Sequence, residues 1–181
     1  MIINYLHVSI AEQRLYAFSN QQLVRCYIIS TALNGSGERN GSGCTPRGIH
    51  YVRAKIGANL PLGAVLRGRR WTGEVWSPQL QQAQPERDWI LTRILWLSGT
   101  ELQRNRLGDC DTFRRYIYIH GTADEHLLGQ PYSHGCIRMH NTDIIELYNH
   151  LADACPVEIS EHTEAEILRC HSNKDGACKA R

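Results

Sequence analysis

Tyr116-Ile117-Tyr118-Ile119-His120-Gly121-Thr122 is followed, after a polar connection, by Ser133-His134-Gly135-Cys136-Ile137-Arg138-Met139. The first segment alternates as a β-strand, predicted over 116–119. Ile117 and Ile119 then share one face and Tyr116, Tyr118 and His120 the other. The second is a glycine-containing turn that presents a cysteine just before a helix. A thiol attacks a carbonyl carbon as its thiolate, and a nearby imidazole is the usual means of making one near neutral pH. The pattern therefore reads as a nucleophile, Cys136, with a general base, His120. The Gly121 carbonyl is a plausible acceptor for the second imidazole N–H, which would fix the tautomer. Gly135 permits a tight turn in which the Gly135 and Cys136 amides converge on an oxyanion.

His-Gly-Thr at 120–122 with Ser-His-Gly-Cys-Ile-Arg-Met at 133–139 resembles the signature of the L,D-transpeptidase catalytic domain, also called the YkuD-type domain. The resemblance implies a cysteine peptidyl-transferase acting on the stem peptides of peptidoglycan. Carried over by position, Cys136 is the nucleophile, His120 the base and Gly121 the residue whose carbonyl orients it. His134, Gly135 and Arg138 match the remaining motif positions. With Ser133, His134 and Arg138 form the expected substrate-binding set. The connection between His120 and Ser133 is shorter than is common in the family, which implies a trimmed flap over the site.

Other readings of these residues stand beside the catalytic one. An isolated cysteine is commonly a small buried hydrophobe and an isolated histidine a structural one. His134 either lines the site or braces the turn. Arg138 either pairs with a substrate carboxylate, for which a guanidinium is well shaped, or braces the turn itself. His120, His134, Cys136 and His140 also offer four zinc-ligand types, but His-x-Cys is a cramped ligand pair and no Cys-x-x-Cys or His-x-x-x-His accompanies it. No metal and no cofactor is expected.

A chain of 181 residues, 42% hydrophobic and 21% charged, suits one globular domain with a real core. The net charge of +2 selects no partner. Arginines crowd the middle of the chain, among them Arg67, Arg69, Arg70, Arg87, Arg93, Arg114 and Arg115. They read as a solvated face or as a surface that attracts a carboxylate. No aromatic-interleaved basic motif points to nucleic acid, and no segment approaches the ~20 apolar residues of a membrane span. Residues 1–8 show no export-signal pattern, and seven cysteines without framework spacing suit reduced thiols. The expected location is cytoplasmic.

Along the chain, alternation from Asn4 to Leu33, broken by polar turns at 11–14 and 19–22, predicts an antiparallel meander. It resembles the start of the same domain, where a Ser-Thr pair, here Ser30 and Thr31, approaches the site. Residues 34–43 form a glycine-rich connection without a phosphate-loop pattern. Thr45-Pro46-Arg47-Gly48 resembles the family's Thr-Pro-x-Gly lead into a strand. Residues 71–76 and 89–97 read as strands and 77–87 as loop, with Trp71 and Trp76 assigned to core packing. Beyond Cys136, Asn141 reads as the N-cap of the main helix, Val157-Glu158-Ile159 as a closing strand, and Thr163 with Glu166 as the capping box of a short helix ending at Cys170. A flexible polar tail containing His171 and Cys178 is expected after it.

The expected fold is mainly β, a two-sheet sandwich-like L,D-transpeptidase domain over residues 1–160 with one main helix after the nucleophile, and a helix with tail over 161–181. The expected activity is cleavage of the L,D bond before the terminal D-alanine of tetrapeptide stems with water as acceptor, the L,D-carboxypeptidase reaction of muropeptide recycling. The alternatives are cross-linking to an amine acceptor, and a non-catalytic domain that binds peptidoglycan peptides.

Overall fold

The computed structural model of the chain describes residues 1–177, with side chains through Cys170. The meander folds as predicted. Strands β1 (Tyr5–Ser9), β2 (Arg14–Ser19) and β3 (Gln22–Ser30) pair antiparallel in order. Asn20 and Gln21 both take positive φ, the backbone a two-residue hairpin needs to follow strand twist. Alternation sends Leu6, Val8, Leu15, Ala17 and Ile29 into the core.

Six further pairings build the rest of the ring. β4 (Gly48–Ile56) runs antiparallel to β7 (Ile90–Gly99), and β7 antiparallel to β8 (Tyr118–Gly121). β8 lies parallel to β9 (Ile137–Met139), which pairs back onto β3. β10 (Pro156–Ser160) joins β1 to β4. The order β4-β10-β1-β2-β3-β9-β8-β7 therefore closes through the β4–β7 pairing into an eight-stranded ring. The hairpin of β5 (Ala64–Arg67) and β6 (Arg70–Val75) hangs from the start of β7.

One closed, barrel-like sheet replaces the expected pair of sheets. The reason lies in β7, which is long enough to pair with β8 along one edge and with β4 along the other. Register shifts in both pairings bend these strands toward closure. An eight-stranded barrel is narrow enough for side chains to fill, and Ile119, Ile137, Met139 and Val157 are fully buried within it.

Three α-helices among the described residues decorate the ring. α1 (Pro78–Ala83) occupies the predicted loop; Ser77 caps it by accepting from the Leu80 amide, and Pro78 stands at its first turn. α2 (Asn141–His150) is the expected main helix and buries Ile144 and Leu147. α3 (Glu164–Ala177) starts at the predicted box, Glu166 Oε2 accepting from the Thr163 amide at 2.7 Å. It docks Ile167 against Tyr16 and Phe18, and its backbone runs past the expected end at Cys170 because no proline interrupts it. The side chain of His171, and Cys178 with the tail, lie outside the described residues. No helix among the described residues is long and apolar enough to cross a membrane.

Candidate active site

The parallel register of β8 and β9 builds the site. Ile119 stands opposite Ile137, His120 opposite Arg138 and Gly121 opposite Met139. Since side chains alternate, Ile119, Ile137 and Met139 enter the core while Tyr118, His120, Cys136 and Arg138 share the other face. The strand begins two residues later than predicted. Tyr116 has φ +57 and closes a turn with its amide on Phe113 O, which tips its half-exposed ring over the cleft.

His120 is buried, and its Nδ1 lies 2.7 Å from Gly121 O. A carbonyl only accepts, so Nδ1 carries the proton and Nε2 keeps its lone pair. Burial lowers the His120 pKa to about 4, with the Asp88 charge partly opposing, so the ring is neutral at pH 7. Gly121 is needed for a second reason that its sequence context hides. A Cβ there would lie within van der Waals radii of Asn141 Oδ1 and Leu91 O. Asn141 is not the cap of α2, a position held by His140 without a side-chain bond. It is the first helical residue, and its amide group donates to Thr122 O at 2.7 Å and accepts from Thr92 Oγ1 at 2.5 Å. Glu125 Oε1 takes both the Asn141 backbone and side-chain N–H at 2.8 Å, so this carboxylate serves the helix start instead. Gly121→Ala is expected to cost about 1–3 kcal/mol by overpacking. It should also shift the carbonyl under His120, so that thermal unfolding and turnover fall together; an unchanged Tm would contradict the contact.

The nucleophile turn is braced from three sides. Ser133 Oγ donates to Cys136 O at 2.5 Å and accepts from Gly135 N at 3.2 Å. Thr45 Oγ1 donates to Gly135 O at 2.9 Å and accepts from Ala32 N at 3.0 Å. Gly135 has φ +134, a conformation L side chains rarely adopt, and a Cβ would press on Ile117 Cδ1 and Cys44 O. Ser133, expected to touch substrate, is buried and occupied in the turn, and the Gly135 amide is already bonded. Ser30 holds the approach to this turn, donating to Gln130 O at 2.6 Å, while Thr31 bonds Gln13.

Cys136 Sγ sits 3.4 Å from both Tyr116 O and Tyr118 N. Burial pushes the thiol up to about 12, against smaller opposing effects of the Tyr118 N–H, Arg138 and Arg115. The expectation of a thiolate preformed beside imidazole therefore changes. Among the described contacts no hydrogen bond joins Cys136 to His120, and both groups rest neutral.

Cys136 and His120 line one cleft of about 350 Å³ with His134, Arg138, Arg115 and Arg69. Arg138 is largely buried, with Asp124 at 3.2 Å and Asp88 at 3.5 Å, so two carboxylates already neutralise the side chain expected to meet substrate. Arg115 donates to the carbonyls of Gly37, Glu38 and Cys44 and so pins the glycine-rich connection. His134 is exposed at the rim. Trp71, assigned to the core, is instead 46% exposed. The one grouping of metal-ligand side chains among the described residues is His7 of β1, Glu158 of β10 and His162 just beyond β10, and it includes none of the four residues weighed for zinc.

The family model for the YkuD L,D-transpeptidase catalytic domain matches residues 3–159. The chain belongs to this family. Solved structures similar to it include Bdellovibrio bacteriovorus Bd1075, at TM-score 0.56 and 14% identity over 99% of this chain and 56% of that one. The Enterococcus faecium L,D-transpeptidase C442S mutant gives 0.53 and 16% over 88% and 50%. A Xylanimonas cellulosilytica L,D-transpeptidase fragment gives 0.52 and 17% over 88% and 61%. The chain thus spans about half to three-fifths of their lengths, and these identities speak for the shared fold. Comparison with curated proteins finds no match. Within this L,D-transpeptidase domain, sequence reasoning missed Thr45, Asn141 and Tyr118 as supports of the site. Thr45 and Tyr118 stand in stretches that the sequence singles out for other residues, and Asn141 reads there as a helix cap.

Proposed function

We propose that the domain is a cysteine-dependent acyl-transferase that cleaves the L,D bond before the terminal D-alanine of peptidoglycan tetrapeptide stems, with water as the acceptor. The observation that carries this reading is the β8–β9 register, which sets Cys136 and a tautomer-fixed His120 on one face of neighbouring strands. Substrate entering the cleft excludes water and closes the path between thiol and imidazole. Cys136 then attacks the carbonyl carbon of the third stem residue as its proton passes to His120 Nε2. The oxyanion is met by the Cys136 amide, with Tyr118 N–H beside the sulfur, since the Gly135 amide is held by Ser133 Oγ. His120 returns the proton to the departing D-alanine nitrogen, leaving a thioester. A water molecule gives a proton to His120 as its oxygen bonds the acyl carbon; the C–S bond then breaks and the departing sulfur takes that proton back from His120, which restores the thiol.

Two features favour water over an amine. The connection from 122 to 132 folds into a short 3-10 turn at Glu125–Leu127 and is tied to β3 by Gly129 N on Ile29 O. None of its residues lines the cleft, where Cys136 is partly exposed. The described cysteines are free thiols, which suits a reducing cytoplasm and soluble muropeptides.

Mass spectrometry of the protein incubated with a disaccharide tetrapeptide, with and without an amine acceptor, tests this reading. Loss of one alanine that requires Cys136 and ignores the acceptor is the expected result. A joined product means transpeptidation, and no product from either mixture means a domain that only binds its peptide.

A further inference from the structure

We infer that Arg69, at the tip of the β5–β6 hairpin, forms a carboxylate-binding subsite for the free C-terminus of the peptide in the cleft. The inference rests on the proposed reaction for its substrate, and on the hairpin for its geometry.

Gly68 and Arg69 are the two central residues between β5 and β6, with φ +55 and +64. Such a turn favours glycine or asparagine; a branched or long side chain at positive φ costs the backbone about 1–2 kcal/mol. An arginine held there at a cost points to a use for its side chain. Arg69 is partly buried, its guanidinium carbon 4.6 Å from the Trp96 ring centroid and 5.0 Å from that of Tyr116, and it donates to Tyr118 Oη at 3.2 Å. Two aromatic faces and one phenol thus fix its plane and leave further N–H groups for a ligand. The same two tyrosines hold the nucleophile through their backbones, Tyr116 O and Tyr118 N each 3.4 Å from Cys136 Sγ. Arg69 therefore lines the same cleft as the sulfur.

Charge selects it over its neighbours. Arg138 is paired with Asp124 and Asp88, and Arg115 is bonded to backbone carbonyls. Arg69 has no ion-pair partner within 4.0 Å among the described residues. A peptide whose scissile bond precedes its last residue carries its carboxylate one residue beyond the attacked carbon, the separation a side chain reaching toward the sulfur can cover. A carboxylate there gains the planar, two-point pairing that a guanidinium offers. This subsite makes the domain trim one residue from a free end and disfavours internal bonds.

Arg69→Asn tests the subsite, because asparagine suits the positive φ and the hairpin should fold at least as well. Two readouts are compared with wild type and Arg69→Lys: KM and kcat for a tetrapeptide as free acid and as C-terminal amide, and the rates at which iodoacetate and iodoacetamide modify the Cys136 peptide, followed by mass spectrometry at pH 9. In Arg69→Asn, KM for the free acid should rise about tenfold or more while the amide changes little. The ratio of iodoacetate to iodoacetamide rates should fall by a similar factor, with iodoacetamide itself unchanged. Lysine should restore part of each preference. If acid preference and reagent ratio are both unaltered in Arg69→Asn, the subsite is overturned. A lowered reagent ratio in a protein that turns over neither peptide upholds the subsite and overturns the proposed reaction.

Discussion

Replacing Cys136 by alanine is expected to lower D-alanine release by about four orders of magnitude or more, and replacing His120 by alanine should cost nearly as much. In the proposed reaction the two groups work on one proton. Without the sulfur no thioester forms; without the imidazole a thiol raised to about 12 by its surroundings has nowhere to send its hydrogen at pH 7. The double variant should consequently be no worse than either single one, since each deletion already abolishes the shared step. Additive losses in release kinetics would mean that the residues serve separate steps. Folding should survive the Cys136 change, because its sulfur makes only weak contacts and the turn is held by Ser133 and Thr45.

The free protein should show a steep dependence of Cys136 alkylation on pH. Burial disfavours the charged form of the thiol, and the neutral His120 supplies no cation to offset it. Below its raised pKa the thiolate fraction grows tenfold per pH unit, so modification by iodoacetamide at pH 9 should run about a hundred times faster than at pH 7. An ordinary peptide thiol would level off near pH 8.5 within that interval. A rate that is already high and flat at neutral pH would reveal a preformed thiolate and imidazolium, and would move proton transfer ahead of substrate binding.

What the sequence revealed and what it concealed divide along chain separation. The alternation of β1 to β3, the strand that ends near His120 and the turn around Cys136 are local, and each carried its own signal of period, glycine placement or motif. Closure of the sheet depended on β4 meeting β7, strands separated by a hairpin and a helix whose residues give no clue to that partnership. The site shows the same division. His120, Gly121 and Cys136 could be named from the motif, whereas the partners of Arg138, Asp88 and Asp124, come from other segments. A guanidinium that looked available in the sequence is thereby occupied. Asn141 sat where a cap was expected, but Glu125 from the preceding connection serves the helix start and releases it to hold Thr92 and Thr122. The strand expected at 116 begins at 118 because Tyr116 closes a turn with Phe113, an interaction that alternation of side chains does not report.

Since β8 and β9 run parallel, the chain must travel back along their length between His120 and Cys136, and residues 122–132 are that return path. Both of its ends are fixed by pairing, so the path can lengthen without altering the spacing of base and nucleophile. Descendants of this domain, natural or engineered, can therefore lengthen this one surface segment while the placement of His120 and Cys136 is inherited unchanged.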